Sequence, residues 1–440
     1  MIFNHLSLEK ILQNLSIDSL NEMQETAMQT IKNEENVILL APTGSGKTLG
    51  FLLPILEMLD SNNNGIQVLV LSPSRELALQ IEQVFKSMVT GFKVNCCYGG
   101  HDISIEKNNL IEPPAILIGT PGRIADHLRN GRINTSTIKT MVLDEYDKCL
   151  EFGFKAEMSF LISQLNNLSK RIFTSATEAI EIQENIEISK PVVLNFLSEE
   201  SPDNLKVKVV ETPSDDRLNT LFKLVCSIGN RSTLIFCNQR QTVEQISSLL
   251  WEKRLANNVF HGGLDQDLRQ RTLIKFRNGS HRILVTTDLA SRGLDIPEIE
   301  CVIHFNIPPT ESIFTHRNGR TARMHAAGTT YLIISEKETL PPFLKDIPEY
   351  EKLPAKVVFP EQTLWVTLYI GAGKKEKISK MDVVGLLMQK GKLLKGELGL
   401  IDVLDHATYV AIKRDKIDKL LPLIKNAPIK KQKVKIEVAR

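Results

Sequence analysis

A pair of carboxylates and a glycine-rich turn are the features of this chain whose residue types and spacing best suit catalysis. The segment Asp144-Glu-Tyr-Asp147 directly follows the apolar run Met141-Val-Leu143. Such a run predicts a buried strand, so the carboxylates emerge at its C-terminal end. Earlier in the chain, Ala41-Pro-Thr-Gly-Ser-Gly-Lys-Thr48 supplies glycines, a lysine and a hydroxyl. This combination binds nucleotide phosphates and Mg²⁺, so together the two segments predict nucleotide hydrolysis.

The glycine-rich segment, residues 41–48, is called the phosphate loop below. Its glycines permit a tight turn whose amides face phosphates, and the following helix offers its positive N-terminal end. We expect Lys47 to contact the β- and γ-phosphates and Thr48 to bind Mg²⁺. A turn without a ligand is the alternative. The predicted nucleotide-contacting residues of the loop are Thr43, Gly44, Ser45, Gly46, Lys47 and Thr48.

The two carboxylates have separate predicted roles. Asp144 is expected to hold the magnesium ion, generally through water, so Thr48 and Asp144 form the predicted metal site. Glu145 is expected to orient or deprotonate the water that attacks the γ-phosphate. Acidic pairs after a strand also occur as solvated loops, so this prediction depends on the phosphate loop.

Arginines at three-residue spacing form the third feature, in His316-Arg-Asn-Gly-Arg-Thr-Ala-Arg323. The spacing places them on neighbouring turns of a helix-like segment. An arginine fork suits phosphate oxygens and stabilises charge as the γ-phosphoryl leaves, which predicts catalytic roles for Arg320 and Arg323. The alternative is a helical salt-bridge face, but these eight positions contain no acidic residue. The arginines lie in a later α/β segment than the phosphate loop, so the site is expected to form between domains that close.

Alternating apolar runs and helix-like stretches predict an α/β fold with parallel sheets. The pattern runs to residue 196, restarts after a polar stretch at residues 198–204, and breaks at a proline-rich stretch. The predicted domains are residues 1–200, residues 201–340, a proline-rich linker at residues 341–362, and a small α+β unit at residues 363–440. The predicted strands are Val37–Leu40, Val68–Leu71, Ala115–Ile118, Met141–Leu143, Ile172–Phe173, Val192–Phe196, Thr233–Cys237, Ile283–Thr286, Cys301–Phe305 and Thr329–Ile334.

Composition and charge exclude some classes of protein and suggest a type of partner. The chain has 440 residues, of which 42% are hydrophobic and 24% charged, as in ordinary globular proteins. No apolar run is long enough to span a bilayer, the N-terminus lacks a signal-peptide pattern, and the cysteines lack C-x-x-C spacing, so we expect a cytoplasmic protein without membrane attachment. Residues 361–440 contain 17 Lys and Arg against 9 Asp and Glu. Such a basic segment predicts a polyanion partner, although a solvated lysine-rich surface is the alternative.

Taken together, the motifs resemble those of the DEAD-box family of RNA-dependent ATPases over roughly the first 340 residues. The resemblance implies two tandem RecA-like domains that bind ATP and Mg²⁺ and separate short RNA duplexes locally. Besides the phosphate loop and residues 144–147, the matching segments are Ser72–Leu77, Gly99-Gly100, Thr120–Arg123, Ser175–Thr177, Leu234–Asn238, Gln266 with Arg269, Thr287–Asp295 and His316–Arg323.

The resemblance also implies individual roles. Gln24 would recognise adenine, for which an amide offers both a donor and an acceptor. It could instead be an ordinary helix residue, because the family's usual glycine-aromatic approach is Ser16-Ile17 here. Asp295, with Gly293, would contact the nucleotide, and Ser175, Thr177 and Asp147 would couple hydrolysis to strand separation. The residues expected to contact the RNA backbone are Pro73, Arg75, Gly100, Thr120, Arg123 and Thr287. Tyr146 stands where the family usually has alanine, and alternation along an extended segment predicts that its side chain points away from the metal.

The small unit has a predicted β-α-β-β-α-β order that resembles an RNA-recognition (RRM-like) fold. Tyr369 and Tyr409 lie where bases could stack, or they pack the core together with Trp365. Residues 370–385 resemble the C-terminal domain of the DbpA group, which implies a hairpin of large-subunit (23S) ribosomal RNA as target and a role in ribosome assembly. Lys374, Lys375 and Lys377 are the expected phosphate contacts. An RNA clamp that barely hydrolyses ATP and a helicase acting on DNA are the alternatives, and a monomer is favoured.

Overall fold

The computed structural model describes residues 2–3, 6–100, 102–151, 153–177, 190–197, 205–213, 216–291, 299–321, 328–344, 348–425, 427–430 and 432–439. The chain divides into two compact units, the first formed mainly by residues 1–201 and the second mainly by residues 202–440. Each unit has its own hydrophobic core.

A seven-stranded parallel sheet forms the centre of the first unit, with the strand order β5-β6-β4-β7-β8-β3-β9. Strands β3, β4, β6 and β7 are buried along their whole length, as expected for a parallel sheet covered on both faces by helices. A short antiparallel pair, β1 and β2, precedes this sheet. The strands are β1 (Ile2–Phe3), β2 (Leu6–Ser7), β3 (Asn36–Leu40), β4 (Val68–Leu71), β5 (Val94–Cys97), β6 (Ile116–Gly119), β7 (Thr140–Leu143), β8 (Lys170–Ser175) and β9 (Val192–Asn195).

Helices connect these strands, and several begin at a residue whose side chain caps the first turn. Ser74, for example, accepts a hydrogen bond from the Leu77 amide at 3.3 Å and so fixes the start of the helix after β4. The described helices of this unit are Leu8–Leu15, Glu22–Asn33, Lys47–Met58, Arg75–Ser87, Ile103–Ile111, Pro121–Arg129, Tyr146–Glu151 and Lys155–Ser163.

The second unit contains another seven-stranded parallel sheet, with the order β12-β13-β11-β14-β15-β10-β16. Its strands are β10 (Leu205–Thr212), β11 (Thr233–Phe236), β12 (Asn258–Phe260), β13 (Ile283–Thr286), β14 (Cys301–His304), β15 (Gly328–Ser335) and β16 (Glu349–Tyr350). The described helices that pack with it are Arg217–Ile228, Arg240–Glu252, Gln266–Arg277 and Glu311–Asn318.

A four-stranded antiparallel sheet completes the second unit, with the order β18-β19-β17-β20. Its elements follow the predicted β-α-β-β-α-β sequence and enclose a separate apolar core. They are β17 (Trp365–Ile370), the helix Lys380–Gly385 continued by a wider turn at Leu386–Lys390, β18 (Leu398–Val403), β19 (Thr408–Lys413), the helix Ile417–Ile424 and β20 (Ile436–Val438).

The outer face of this small sheet packs against the parallel-sheet part of the same unit. Thr367 on β17 is buried; its hydroxyl donates to Ser280 Oγ at 2.8 Å and accepts from Asn278 Nδ2 at 2.9 Å. Arg277, at the end of the preceding helix, forms an ion pair with Asp402 on β18. The turn after the helix Gln266–Arg277 therefore holds the small sheet against the parallel-sheet part of this unit.

The predicted fold class is confirmed: two parallel α/β sheets are followed by a small α+β sheet. Every predicted strand is present to within a few residues. The short strands β1 and β2 and the strands β5, β10, β12 and β16 were not predicted, and the last four lack a continuous apolar run. In β10, lysines at positions 206 and 208 alternate with valines, and this period of two was an available signal.

Candidate nucleotide and RNA site

The phosphate loop joins β3 to the helix Lys47–Met58, as its sequence predicted. Gly44 and Gly46 have φ angles of 87° and 89°, in the left-handed region that glycine adopts without strain. Lys47 is buried, and its Nζ donates to the backbone oxygens of Ala41 at 2.5 Å and Pro42 at 3.0 Å. The loop's own carbonyls thus hold the lysine beside the turn, and Thr48 lies half-buried at the start of the helix.

Gln24 lies directly against this loop. Its amide Nε2 donates to the Gly46 oxygen at 3.3 Å, and its Oε1 accepts from the Asn21 amide at 3.1 Å. A Cβ atom on Gly46 would lie only 2.3 Å from Gln24 Nε2, so a side chain at position 46 would displace the Gln24 amide from the loop. An amide has two donor hydrogens and two acceptor lone pairs, which leaves Gln24 one of each for a ligand beyond these two bonds.

Asp144 and Glu145 follow β7, which lies between β4 and β8 in the sheet. Asp144 is buried, and the Thr174 hydroxyl on β8 donates to its Oδ1 at 2.5 Å. Burial raises the pKa of Asp144 above its ordinary value, against the opposing effects of that hydrogen bond and of the Lys47 charge. Glu145 has a φ of 47° and donates its amide to Thr174 Oγ1 at 3.1 Å. This left-handed backbone conformation is strained for a residue with a side chain and is typical of functional sites.

Tyr146 is fully buried in the apolar cluster beside β7. Its ring packs edge-on against Phe173, with the ring centroids 5.6 Å apart and the planes at 88°. The bulk of this residue is therefore absorbed by local packing. The segment is not extended as predicted, because Glu145 is left-handed and a helix begins at Tyr146, so strand-like alternation does not explain the position of the ring.

The three residues predicted to couple hydrolysis to strand separation lie together. Thr177 Oγ1 donates to Asp147 Oδ2 at 3.0 Å, and the Thr177 amide donates to Ser175 Oγ at 3.1 Å. The backbone oxygen of Ser175 in turn accepts from the Ala41 amide at 3.1 Å. Because Ala41 also accepts from Lys47, a continuous set of hydrogen bonds connects Asp147 to the phosphate loop.

The predicted RNA-contacting residues of the first unit gather at the other half of the sheet. Pro73 and Arg75 follow β4, Gly100 follows β5, and Thr120 and Arg123 follow β6, and these three strands are neighbours. Carboxyl ends of parallel strands meet at one edge of a sheet, which explains why segments distant in sequence come together. The same edge therefore presents the predicted nucleotide-binding segments after β3, β7 and β8 and the predicted RNA-contacting segments after β4, β5 and β6.

A buried carboxylate that no sequence motif predicted contacts these predicted RNA-contacting segments. Glu106 accepts from the Tyr98 amide at 2.8 Å, contacts His127 Nε2 at 2.6 Å and lies 3.6 Å from Arg123 Nε. It thus connects the end of β5 to the helix that carries Arg123. No motif pattern identified Glu106, because its partners lie on separate elements.

In the second unit, the arginines differ in environment. Arg317 is fully buried; its Nε donates to Asp288 Oδ1 at 2.6 Å and its Nη2 to Asn238 Oδ1 at 2.9 Å. The helix ends at Asn318, so the prediction that all three arginines share helical turns is wrong, and Arg320 lies beyond the helix, also buried. Thr287 is half-buried after β13. Gly293, Asp295 and Arg323 lie outside the described residues.

In the small sheet, the predicted contact residues divide into exposed and buried groups. Lys374, Lys375 and Lys377 lie in the turn after β17, and all three are exposed. Tyr409 is 7% exposed and packs against Tyr369 with the ring centroids 5.5 Å apart. Burial raises the pKa of Tyr409, and the nearby charge of Arg271 opposes this shift. Tyr409 therefore packs within the second unit, and the alternative of a packing role is the one that the structure favours.

The fold and the site define a class: an ATPase with a phosphate loop, built on two parallel-sheet domains and followed by a small α+β domain. Family models match in the same order. They are the DEAD/DEAH box helicase model at residues 21–185, the helicase conserved C-terminal domain at residues 216–325, and the DbpA RNA binding domain at residues 367–438.

Relatives with assigned names are ATP-dependent RNA helicases as well. ATP-dependent RNA helicase DbpA of Bacillus subtilis is 27% identical over 98% of this chain and 97% of its own length, and DbpA of Escherichia coli is 29% identical over 98% and 96%. ATP-dependent RNA helicase CshA of Limosilactobacillus reuteri is 31% identical over 76% of this chain and 69% of its own length. The chain belongs to the DEAD-box family of ATP-dependent RNA helicases, with a DbpA-type RNA-binding domain at its C-terminal end.

Solved structures of the family are also similar. A single-residue variant of Dbp5 of Saccharomyces cerevisiae, bound to RNA and ADP BeF3, matches 76% of this chain and 89% of its own with a TM-score of 0.67 and 25% identity. Mss116p bound to single-stranded RNA and AMP-PNP matches 75% and 73% with a TM-score of 0.67 and 26% identity. Among the described helices of this chain, none combines the length and the apolar character needed to cross a bilayer.

Proposed function

We propose that this protein hydrolyses ATP to drive local separation of RNA duplexes, with the large-subunit (23S) ribosomal RNA or its assembly intermediate as target. The main support comes from three segments of the first unit that follow neighbouring strands of one sheet. They are the phosphate loop, Asp144 with Glu145, and Ser175 with Thr177, and hydrogen bonds connect them. In this proposal, Lys47 binds the β- and γ-phosphates, Gln24 binds adenine, and Glu145 takes the proton of the attacking water.

The side chains also fit a magnesium ion. Asp144 is a buried carboxylate whose charge is incompletely balanced by protein groups, as its raised pKa indicates, and Thr48 supplies a hydroxyl at the start of the next helix. Hard oxygen ligands of this kind suit Mg²⁺. When bound, the ion would neutralise charge on the β- and γ-phosphate oxygens. Thr174 keeps the Asp144 carboxylate oriented by donating to Oδ1.

Later segments of the chain supply the remaining groups in this proposal. Arg320 and Arg323 stabilise negative charge as the γ-phosphoryl leaves, and Asp295 with Gly293 contacts the nucleotide. Arg317 does not share this role, because Asp288 and Asn238 already hold its guanidinium inside the unit. It stabilises the end of the helix that precedes Arg320.

The ribosomal target rests on the small domain. Its sequence matches the DbpA RNA binding domain, and relatives named DbpA align over nearly the whole chain. Its surplus of basic residues suits an RNA backbone, and Lys374, Lys375 and Lys377 lie together in one surface turn. RNA-stimulated ATPase activity across a panel of ribosomal RNA fragments, beside matched DNA strands, tests this target and the discrimination against DNA.

The substitution Glu145→Gln tests the chemical proposal. Without a base, RNA-stimulated hydrolysis should fall at least about a hundredfold, while nucleotide still binds. Steady-state ATPase assays and binding of a fluorescent ATP analogue measure the two properties separately. Glu112→Gln, at an exposed site of the same unit, is the matched control and should leave both unchanged. Undiminished turnover in Glu145→Gln would remove Glu145 from the mechanism.

A further inference from the structure

The second unit contains a cavity of about 280 Å³ whose lining includes none of the motif residues described above, although part of its wall is the helix that carries Gln266 and Arg269. It lies among the helices Arg240–Glu252 and Gln266–Arg277 and strand β12, and Ala439 of the small domain borders it. The Ala439 amide donates to the Thr367 oxygen at 2.8 Å, which holds the end of the small domain beside the cavity. We call it the Lys275 cavity after its most unusual lining residue.

Lys275 is 5% exposed, although lysine is rarely buried without a paired charge. Among the described residues, no carboxylate forms an ion pair with it and no hydrogen-bond acceptor contacts its Nζ. Arg271, one helical turn earlier, also lines the cavity and likewise has no ion-pair partner in the described part of the chain. Burial and the Arg271 charge lower the pKa of Lys275 to about 8. Two cations thus line one cavity without an anion from the described protein.

Neutral groups of the lining add a further donor. Asn258 Nδ2 is buried and has no acceptor among the described residues. Burial and the Lys275 charge lower the pKa of His281 to about 4, so this ring is neutral near pH 7. Its Nδ1 lies 3.2 Å from the Asn257 oxygen, which fixes the ring beside the cations. A buried donor left unpaired is costly, which indicates that a ligand supplies the acceptor.

An exposed aromatic ring stands at the rim. Trp251 is 52% exposed, and its ring lies edge-on to His281 with the centroids 6.2 Å apart. An indole face open to solvent beside cations is the combination on which single-stranded nucleic acids stack their bases while the backbone contacts the positive charge. A purely inorganic anion would leave this ring unused.

We propose that the Lys275 cavity is a subsite for single-stranded RNA, in which one phosphate binds Lys275, Arg271 and Asn258 and a neighbouring base stacks on Trp251. The proposal rests on RNA being the ligand of the protein. It adds a contact between RNA and the junction of the second parallel sheet with the small domain. This contact is separate from the one proposed for the turn that carries Lys374.

The test uses the full chain and fluorescence anisotropy of a labelled RNA hairpin with single-stranded flanks. Lys275→Met and Trp251→Ala should each weaken binding about tenfold, and Lys275→Met should reduce the slope of log affinity against log salt by about 0.7 to 1. Trp251→Phe keeps a stacking face and should restore most of the affinity. Lys419→Met, at an exposed lysine of the small domain, removes the same charge and is the control.

The outcomes separate this proposal from the proposed function. If Lys275→Met and Trp251→Ala bind RNA like Lys419→Met, the subsite is refuted, even though RNA-stimulated hydrolysis persists. If the wild-type chain shows no RNA-stimulated hydrolysis, the proposed function fails first.

A second experiment tests whether the cavity binds a small ligand instead. Inorganic phosphate and UMP are titrated separately, and binding is followed by tryptophan fluorescence. Stronger quenching by either than by the RNA strand would identify a small-ligand pocket and overturn the RNA assignment. Trp251→Ala changes an exposed side chain, so it keeps the test valid if Lys275→Met folds poorly.

Discussion

Asp144, the proposed magnesium-binding carboxylate, lies in an environment that is unfavourable for its negative charge, and this has a measurable consequence. Its pKa is raised in the folded protein, so the folded state binds a proton more readily than the unfolded chain. The stability that comes from this proton is present at low pH and is lost as pH rises from the unfolded value, 3.8, through the folded one. Near neutral pH the buried charge therefore costs stability in the absence of magnesium and nucleotide.

The substitution Asp144→Asn should consequently raise the melting temperature of the ligand-free protein at pH 7, while RNA-stimulated hydrolysis is lost. The amide oxygen can still accept from Thr174, so the local hydrogen bond survives. Thermal unfolding with and without Mg-ATP, compared with Asp415→Asn at an exposed site, measures the effect. A lower melting temperature than that of wild type would contradict the argument from burial.

Tyr146 illustrates how a departure from the usual family residue is accommodated by packing. The side chain is fully buried against Phe173, so Tyr146→Ala should leave a cavity and destabilise the first unit by about 3–5 kcal/mol. Tyr146→Phe preserves the ring contact and serves as the control. Urea unfolding gives the free energies. ATPase activity per folded molecule should change far less than stability, and a selective loss of coupling between ATPase and unwinding would show a functional role for the ring.

At the scale of elements, the turn after β5 packs closely against the start of the helix that follows β4. Gly100 has a φ of 93°, and a Cβ atom there would lie 2.6 Å from Arg75 Nη1. Gly100→Ala should therefore displace Arg75 and weaken RNA binding several-fold, because a charge-assisted phosphate contact is lost. Gly99→Ala is the neighbouring control, since a Cβ at Gly99 meets no atom within 4 Å. Equal RNA affinities of the two variants would show that Gly100 does not contribute to RNA binding.

The elements also show what the sequence could and could not predict. Buried strands such as β3 and β4 were predictable because parallel strands require continuous apolar runs. Edge strand β5, with Val94-Asn-Cys-Cys97, carries no such run and was missed. The helical spacing of the arginines suggests an acidic partner for Arg317 within the same helix. The structure instead pairs Arg317 with Asp288, which lies in the turn after β13. Contacts of this kind depend on sheet topology, which local sequence does not specify.

On the scale of the whole molecule, positive charge is concentrated where the family models place the RNA-binding domain. Residues 1–360 contain 37 basic and 43 acidic residues, whereas residues 361–440 contain 17 and 9. The charge distribution alone favoured a polyanion partner, but it left a solvated surface as the alternative. The small sheet's attachment through Thr367 and Arg277 was not predictable, because the paired residues are far apart in sequence and follow no motif.

This attachment determines how the RNA target should be tested. Deleting residues 361–440 would uncover Asn278 and Ser280, which Thr367 now contacts, so a loss of RNA preference could follow from damage to the second unit. The combined substitution of Lys374, Lys375 and Lys377 by glutamine avoids this damage because all three lie in a surface turn. It should weaken binding of a 23S ribosomal RNA fragment and lower its salt slope by about 2, at about 0.7 for each single-stranded phosphate contact.

Glutamine at Lys413, Lys419 and Lys425, which are exposed lysines of the small domain, removes the same charge from other positions. If net charge alone governed binding, both triple variants would lose the same affinity. If the turn after β17 holds the RNA, only the first should lose preference for the ribosomal fragment over an unrelated strand. Generic RNA-stimulated hydrolysis should persist in both, because the phosphate loop, Glu145 and the strand-end residues of the first unit remain intact.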